Sequence, residues 1–257
     1  MIGRRTASVL ALLLALGACG SASGSDSPTH HAASPARHQP LLVDKKCADL
    51  IVFGARGSTQ SAKLNHGVGA EVRLSVEATA RRLHQRSNAT VRLEAVRYDA
   101  SGGAAYVSQV GAGAQLMQQL LEAEARDCPH SRFGLIGFSE GAQVTHATAL
   151  DVPHALAGRI AMIAMIADPR RNPTDAIAHW SYGGSAPRPG RDGAGTPIDP
   201  DVRAAAISLC APGDEICNGR GSPGVAPSAT HRHFYEKPSS ARSTAKQLDK
   251  ILRANGL

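Results

Sequence analysis

Aromatic residues are scarce in this chain: four Phe, four Tyr and one Trp in 257 residues. So few flat side chains leave little surface on which bases or sugar rings could stack. Charge of one sign is not concentrated either. Lys and Arg number 28 against 21 Asp and Glu, a net charge of +7, but the basic residues are scattered along the chain, so nucleic acid is not expected as a partner. Cysteine occurs five times without a Cys-x-x-Cys pair or a nearby histidine at metal-ligand spacing, so no zinc or other metal site is expected. No repeat at solenoid period occurs. The apolar run at residues 7–16, ASVLALLLAL, is too short to cross a bilayer.

What is present begins with that run. MIGRRT before it supplies positive charge and Gly17-Ala18-Cys19 after it supplies small residues, the pattern of an export signal. Leu16-Gly17-Ala18-Cys19 resembles the lipobox of bacterial lipoproteins, in which the cysteine becomes the lipid-modified first residue of the mature chain. The alternative is an ordinary signal peptide with a chance cysteine. The lipoprotein reading is preferred because removing Cys19 leaves four cysteines to pair. Residues 20–42 are small, polar and proline-punctuated, hence a flexible tether, and His30, His31 and His38 in it read as solvated rather than as metal ligands. The organisation expected is therefore a signal at 1–19, a tether at 20–42 and a folded domain at 43–257, held at a membrane through Cys19.

Cys47, Cys128, Cys210 and Cys217 allow three pairings by counting alone. The short Cys210 to Cys217 loop closes easily, which leaves Cys47 with Cys128, a long loop whose closure contributes on the order of 4 kcal/mol in the chain-entropy model. Across the folded region, apolar runs at residues 49–53, 90–96, 133–137 and 160–167 read as strands. Residues 68–83, 107–125 and 240–253 carry helical spacing, with Val110, Ala114, Met117, Leu120 and Leu121 on one face. Strands alternating with helices imply an α/β fold with a parallel sheet covered on both sides.

One strand, residues 133–137, runs into Gly137-Phe138-Ser139-Glu140-Gly141 and then a helical segment. A Gly-x-Ser-x-Gly match alone is weak, because 26 of 257 residues are glycine. The context is stronger: a nucleophile elbow needs a strand before the serine, a helix after it, and glycines where the sharp turn meets its neighbours. Ser139 has all three, and the helix N-terminus would aim free N–H groups at a developing oxyanion. A base and an acid should follow in the order Ser, Asp, His. CAPGDEIC, residues 210–217, offers Asp214, and THRHFY, residues 230–235, offers His231 or His233.

CADLIVFGARGST, CPHSRFGLIGFSEGA, CAPGDEIC and the histidine soon after, in that order from Cys47 to the C-terminus, resemble the cutinase family of serine esterases. The resemblance implies a small α/β-hydrolase with a five-stranded parallel core, usually without a large lid, and no cofactor. It carries over Ser139 as nucleophile, Asp214 as the acid and His231 as general base, with Phe234 matching the family's His-x-x-aromatic spacing. Ser58 and the backbone N–H of Glu140 would form the oxyanion hole, and Cys47–Cys128 and Cys210–Cys217 would be the disulfides. The implied activity is extracytoplasmic hydrolysis of short to medium acyl esters or envelope lipids by a monomer. The same machinery would also serve a polysaccharide acetyl esterase, a phospholipase, a thioesterase or a transacylase. A non-catalytic lipid- or protein-binding lipoprotein fits less well, because a pure binder needs no complete triad.

Several residues compete with these assignments. Asp168, in IADPRR at a strand end, is a rival acid by position, although the resemblance makes it structural. Glu215 should point away from the site, His146 reads as a helix-face residue, and Arg56 as a charge that stabilises loops. Two features depart from the family: Glu140 stands where most members have Gln, and the 215–230 loop is rich in Gly, Ser and Pro, with Ile216 and Val225 its main large aliphatics. A carboxylate near an oxyanion opposes its charge unless it turns to solvent or meets a cation.

Overall fold

The fold is that of a computed structural model that describes residues 41–184, 186–219 and 226–257. Cys19, the tether histidines His30, His31 and His38, and Val225 lie outside the described residues.

Six strands form one parallel sheet: β1 (Leu50–Ala55), β2 (Val91–Ala95), β3 (Arg132–Phe138), β4 (Ile160–Ile166), β5 (Ala178–Trp180) and β6 (Ala206–Leu209), in the order β2-β1-β3-β4-β6-β5. β1 (LIVFGA) and β4 (IAMIAMI) are buried along their whole length, as expected of strands covered on both faces. The sheet has six strands rather than the five the family resemblance implies. The addition is β5, three residues paired to β6 at the edge, too short to leave a periodic signature.

Helices α1 (Ala70–Ser87) and α6 (Pro238–Ala254) pack together on one face, and α2 (Tyr106–Asp127) and α3 (Glu140–Ala149) on the other, while the short α4 (His154–Ala157) leads into β4. Along β1, Leu50 and Val52 join Val72, Val76 and Leu83 of α1 and Leu248 of α6 in one core. Ile51 and Phe53 join Val110, Met117 and Leu121 of α2 and Val144 of α3 in the other. Of the predicted α2 face, Val110, Met117 and Leu121 are buried, while Ala114 and Leu120 are half-buried.

The chain leaves β1 towards β2 on one side and leaves β3 towards β4 on the other. Strand order therefore reverses between β1 and β3, and a crevice opens at their C-terminal ends, where α/β sheets bind ligands. Ser58 follows β1 there and Ser139 follows β3. Two disulfides brace this frame. Cys47–Cys128 ties the segment before β1 to the end of α2, and Cys210–Cys217 closes the loop after β6.

Candidate active site

Ser139 sits between β3 and α3 at φ 55° and ψ −117°, a backbone conformation rarely adopted by a residue with a side chain. The surroundings hold it there. Its N–H donates to the Ile166 carbonyl (2.9 Å) and its carbonyl accepts from Gln143 (3.1 Å), fixing the turn between β4 and α3. The flanking glycines are required by contact: a Cβ on Gly137 would lie 1.9 Å from the Gly141 carbonyl oxygen, and one on Gly141 would lie 2.1 Å from that of Ala55. Phe138, the residue before Ser139, stacks on the His231 ring at 4.9 Å between centroids.

His231 lies on the short helix α5 (Ala229–His233), capped by Ser228, whose Oγ accepts the His231 N–H (3.2 Å). Nε2 of His231 is 3.0 Å from Ser139 Oγ. Its Nδ1 is 3.1 Å from each Asp214 oxygen. An ionised carboxylate only accepts, so Nδ1 carries the proton and Nε2 is left to accept from the serine hydroxyl.

Asp214 is completely buried and its charge is met by donors on every side. Besides His231, the Ile216 N–H donates to Oδ1 (2.9 Å) and the Tyr235 hydroxyl donates to Oδ2 (2.7 Å). The Tyr235 oxygen in turn accepts the Ala211 N–H (2.7 Å). Burial, followed by the Asp214 charge, raises the Tyr235 pKa well above the ordinary phenol value, so its proton stays in place to be donated. The sequence reading singled out Phe234 but passed over Tyr235. Phe234 packs edge-on to Tyr182 and to Tyr235 itself, 5.1 and 5.4 Å between centroids, and it is the next aromatic along that reaches the carboxylate.

The competing residues go elsewhere. His233 is exposed and pairs with Glu236 (2.9 Å). Glu215 accepts the Ser228 N–H (2.6 Å), tying the Asp214 loop to the start of α5. Asp168 does not approach His231. Its Oδ2 pairs with Nδ1 of His146 (2.7 Å), and His146, expected on a helix face, is buried. Arg56 binds the Gln60 carbonyl (3.1 Å) and lies over the Tyr98 ring (5.1 Å), bracing the loop that carries Ser58.

Ser58 is half-buried on that loop, whose turn is closed by the Gln60 N–H to the Gly57 carbonyl (3.2 Å) and tied to the segment after β2 by the Thr59 N–H to the Ala100 carbonyl (2.6 Å). Its hydroxyl meets the Glu140 carboxylate at Oε2. Glu140 does not turn to solvent and, among the described residues, forms no ion pair: it is fully buried. As the first residue of α3, its backbone N–H has no partner within the helix and is free for a ligand. Burial, the largest influence, raises the Glu140 pKa despite the Ser58 hydrogen bond.

The geometry of a serine, a histidine and a carboxylate on a parallel sheet agrees with the comparisons to known proteins. The family model described as Cutinase matches residues 46–246. This chain belongs to the cutinase family. Carboxylesterase Culp1 of Mycobacterium tuberculosis is 29% identical over 176 residues, 68% of this chain and 71% of that protein. Two solved structures share the fold. A cutinase-like protein from Cryptococcus sp. has a TM-score of 0.61 at 17% identity, covering 82% of this chain and 97% of its own. Trichoderma reesei cutinase, bound to a phosphonate inhibitor, has a TM-score of 0.57 at 21% identity, covering 80% and 78%. The cutinase-family chain is accordingly a serine hydrolase of carboxylic esters.

Proposed function

We propose that Ser139, His231 and Asp214 form the catalytic triad, with Ser58 and the Glu140 N–H as oxyanion donors. The observation that carries this reading is the continuous hydrogen-bonded line from Ser139 Oγ through both ring nitrogens of His231 to Asp214. As Ser139 Oγ attacks an ester carbonyl, Nε2 takes its proton, and Asp214 stabilises the imidazolium that forms. Collapse of the tetrahedral intermediate returns that proton to the leaving alcohol and leaves an acyl-enzyme. A water activated by the same histidine then releases the acid.

Short to medium acyl esters, including envelope lipids, are the substrate class we assign. Ser139 is partly exposed, and Gly102 stands against Ser58, where a Cβ would come within 3.4 Å of the serine Cβ, so small residues border the oxyanion side. We further propose that the enzyme works outside the cytoplasm, anchored through a lipidated Cys19. Two disulfides in the folded domain support an oxidising compartment.

Hydrolysis of p-nitrophenyl esters from acetate to palmitate by the purified protein tests the triad. Turnover should be present in the natural sequence and absent in Ser139→Ala and His231→Ala variants that remain folded. Turnover surviving in Ser139→Ala would refute the assignment. Cys19→Ala should move the protein out of the membrane fraction, and its staying there would rule out the anchor.

A further inference from the structure

We propose that the Glu140 side chain is a positioning residue for the oxyanion hole, whose protonation state decides whether Ser58 can donate its single proton to the reacting oxygen. This rests on the triad reading above.

Ser58 and Glu140 are 82 residues apart, yet β1 and β3 are adjacent strands and deliver them to the same end of the sheet. A serine hydroxyl has one proton to give. With Glu140 ionised, that proton is committed to Oε2, and the buried negative charge adjoins the place where an oxyanion must form. With Glu140 neutral, the carboxyl O–H donates to Ser58 Oγ, and the serine proton is free to turn to the oxyanion. No bond between heavy atoms changes: the two states differ by one proton taken from solvent onto the Glu140 carboxylate, and a chain of two donors pointing at the oxyanion replaces a chain pointing away.

The charged and titratable groups interacting with Glu140 lie after β1, after β2 and on α2. Arg56 follows β1 and favours the ionised form, while Asp99, after β2, opposes it. Tyr98 on the same segment and Tyr106 on α2 both feel the Glu140 charge; burial comes first in raising each phenol above its ordinary pKa, and Glu140 adds to it, so neither is a counter-charge. Arg56 is the only cation among these. Its Nε and Nη2 are engaged by the Gln60 and Tyr98 carbonyls, its Nη1 is buried with no hydrogen-bond partner among the described residues, and burial is the dominant influence on Glu140. Glutamine at this position would place a permanent amide donor beside Ser58, equivalent to the neutral acid at every pH.

The test is kcat and KM for p-nitrophenyl butyrate from about pH 5 to 9 in the natural protein, Glu140→Gln, Ser58→Ala and the double variant. Loss of one oxyanion donor costs about 10²–10³ in kcat when complete, so Glu140→Gln should raise kcat on the alkaline side by about 10-fold or more. KM should barely change, and the decline of the natural protein with rising pH should disappear. In the Ser58→Ala background, Glu140→Gln should have no such effect, because the proton it redirects is gone. A Glu140→Gln profile of the same shape as the natural one, or a gain that persists without Ser58, overturns the proposal. An inert natural protein overturns the triad reading and this one together. Turnover that depends on Ser139 but is indifferent to Glu140→Gln removes this proposal alone.

Discussion

Among the described residues, two buried histidine–aspartate pairs occur, and only one of them adjoins a serine hydroxyl. His231 holds Asp214 through Nδ1 and faces Ser139 Oγ through Nε2, a hydroxyl able to give up a proton. His146 holds Asp168 through Nδ1 (2.7 Å) but faces the Thr196 carbonyl through Nε2 (2.8 Å), a group that only accepts. With an acceptor facing each nitrogen, the surroundings favour the doubly protonated ring. Burial opposes that charge, but the hydrogen bond and charge of Asp168, with the Thr196 carbonyl, outweigh it and raise the His146 pKa. Under the proposed triad, identical residue types serve as a base in one place and a clasp in the other, the clasp joining α3, the end of β4 and the 190–196 segment. What separates them is the partner of the second nitrogen.

Removing each histidine should separate the roles most sharply. His231→Ala should lower kcat by about 10⁴-fold or more with the fold intact, whereas His146→Leu should leave kcat per folded molecule within a few-fold. The acids should follow suit: Asp214→Asn should cost about 10⁴ in kcat by favouring the wrong His231 tautomer. His146→Leu should instead lower stability by about 3–5 kcal/mol in urea denaturation, because the Asp168 charge is left buried without its partner. Removing one hydrogen bond to the Asp214 carboxylate with Tyr235→Phe should cost about 10-fold in kcat.

The smallest effect concerns stability against pH. The folded His146 pKa is raised, so its contribution is complete below the unfolded value of about 6.5 and is lost as pH rises through the folded value. The stability difference between the natural protein and His146→Leu should fall with rising pH in that window by at most about 1.4 kcal/mol per pH unit. A difference that is flat or grows with pH would mean that His146 is not the cation described.

The strand, elbow and helix around Ser139 were legible in the sequence because their constraints are local: an apolar run, two glycines bracketing the serine, and a helix-compatible segment after it. Asp214 stood out inside a short cysteine-bounded loop, whereas the residues alone left His231 and His233 open and only the family resemblance preferred His231. The rest depends on contacts across the sheet that no spacing encodes. Tyr235 reaches Asp214 from 21 residues away and lies beside a more conspicuous Phe234. Glu140 was visible as a departure, but its burial and its bond to Ser58 follow only once β1 and β3 are adjacent. His146 carried no signal of its role, since Asp168 and Thr196 approach it from 22 and 50 residues along the chain. The strands β5 and β6, of three and four residues, were too short to read.

The triad assignment is tested most directly by treating the purified protein with a fluorophosphonate and mapping the adduct by mass spectrometry. A single adduct on Ser139, formed at one equivalent and suppressed in His231→Ala but not in His146→Leu, is the predicted result. An adduct on another serine, or a folded protein that takes up none, would contradict it.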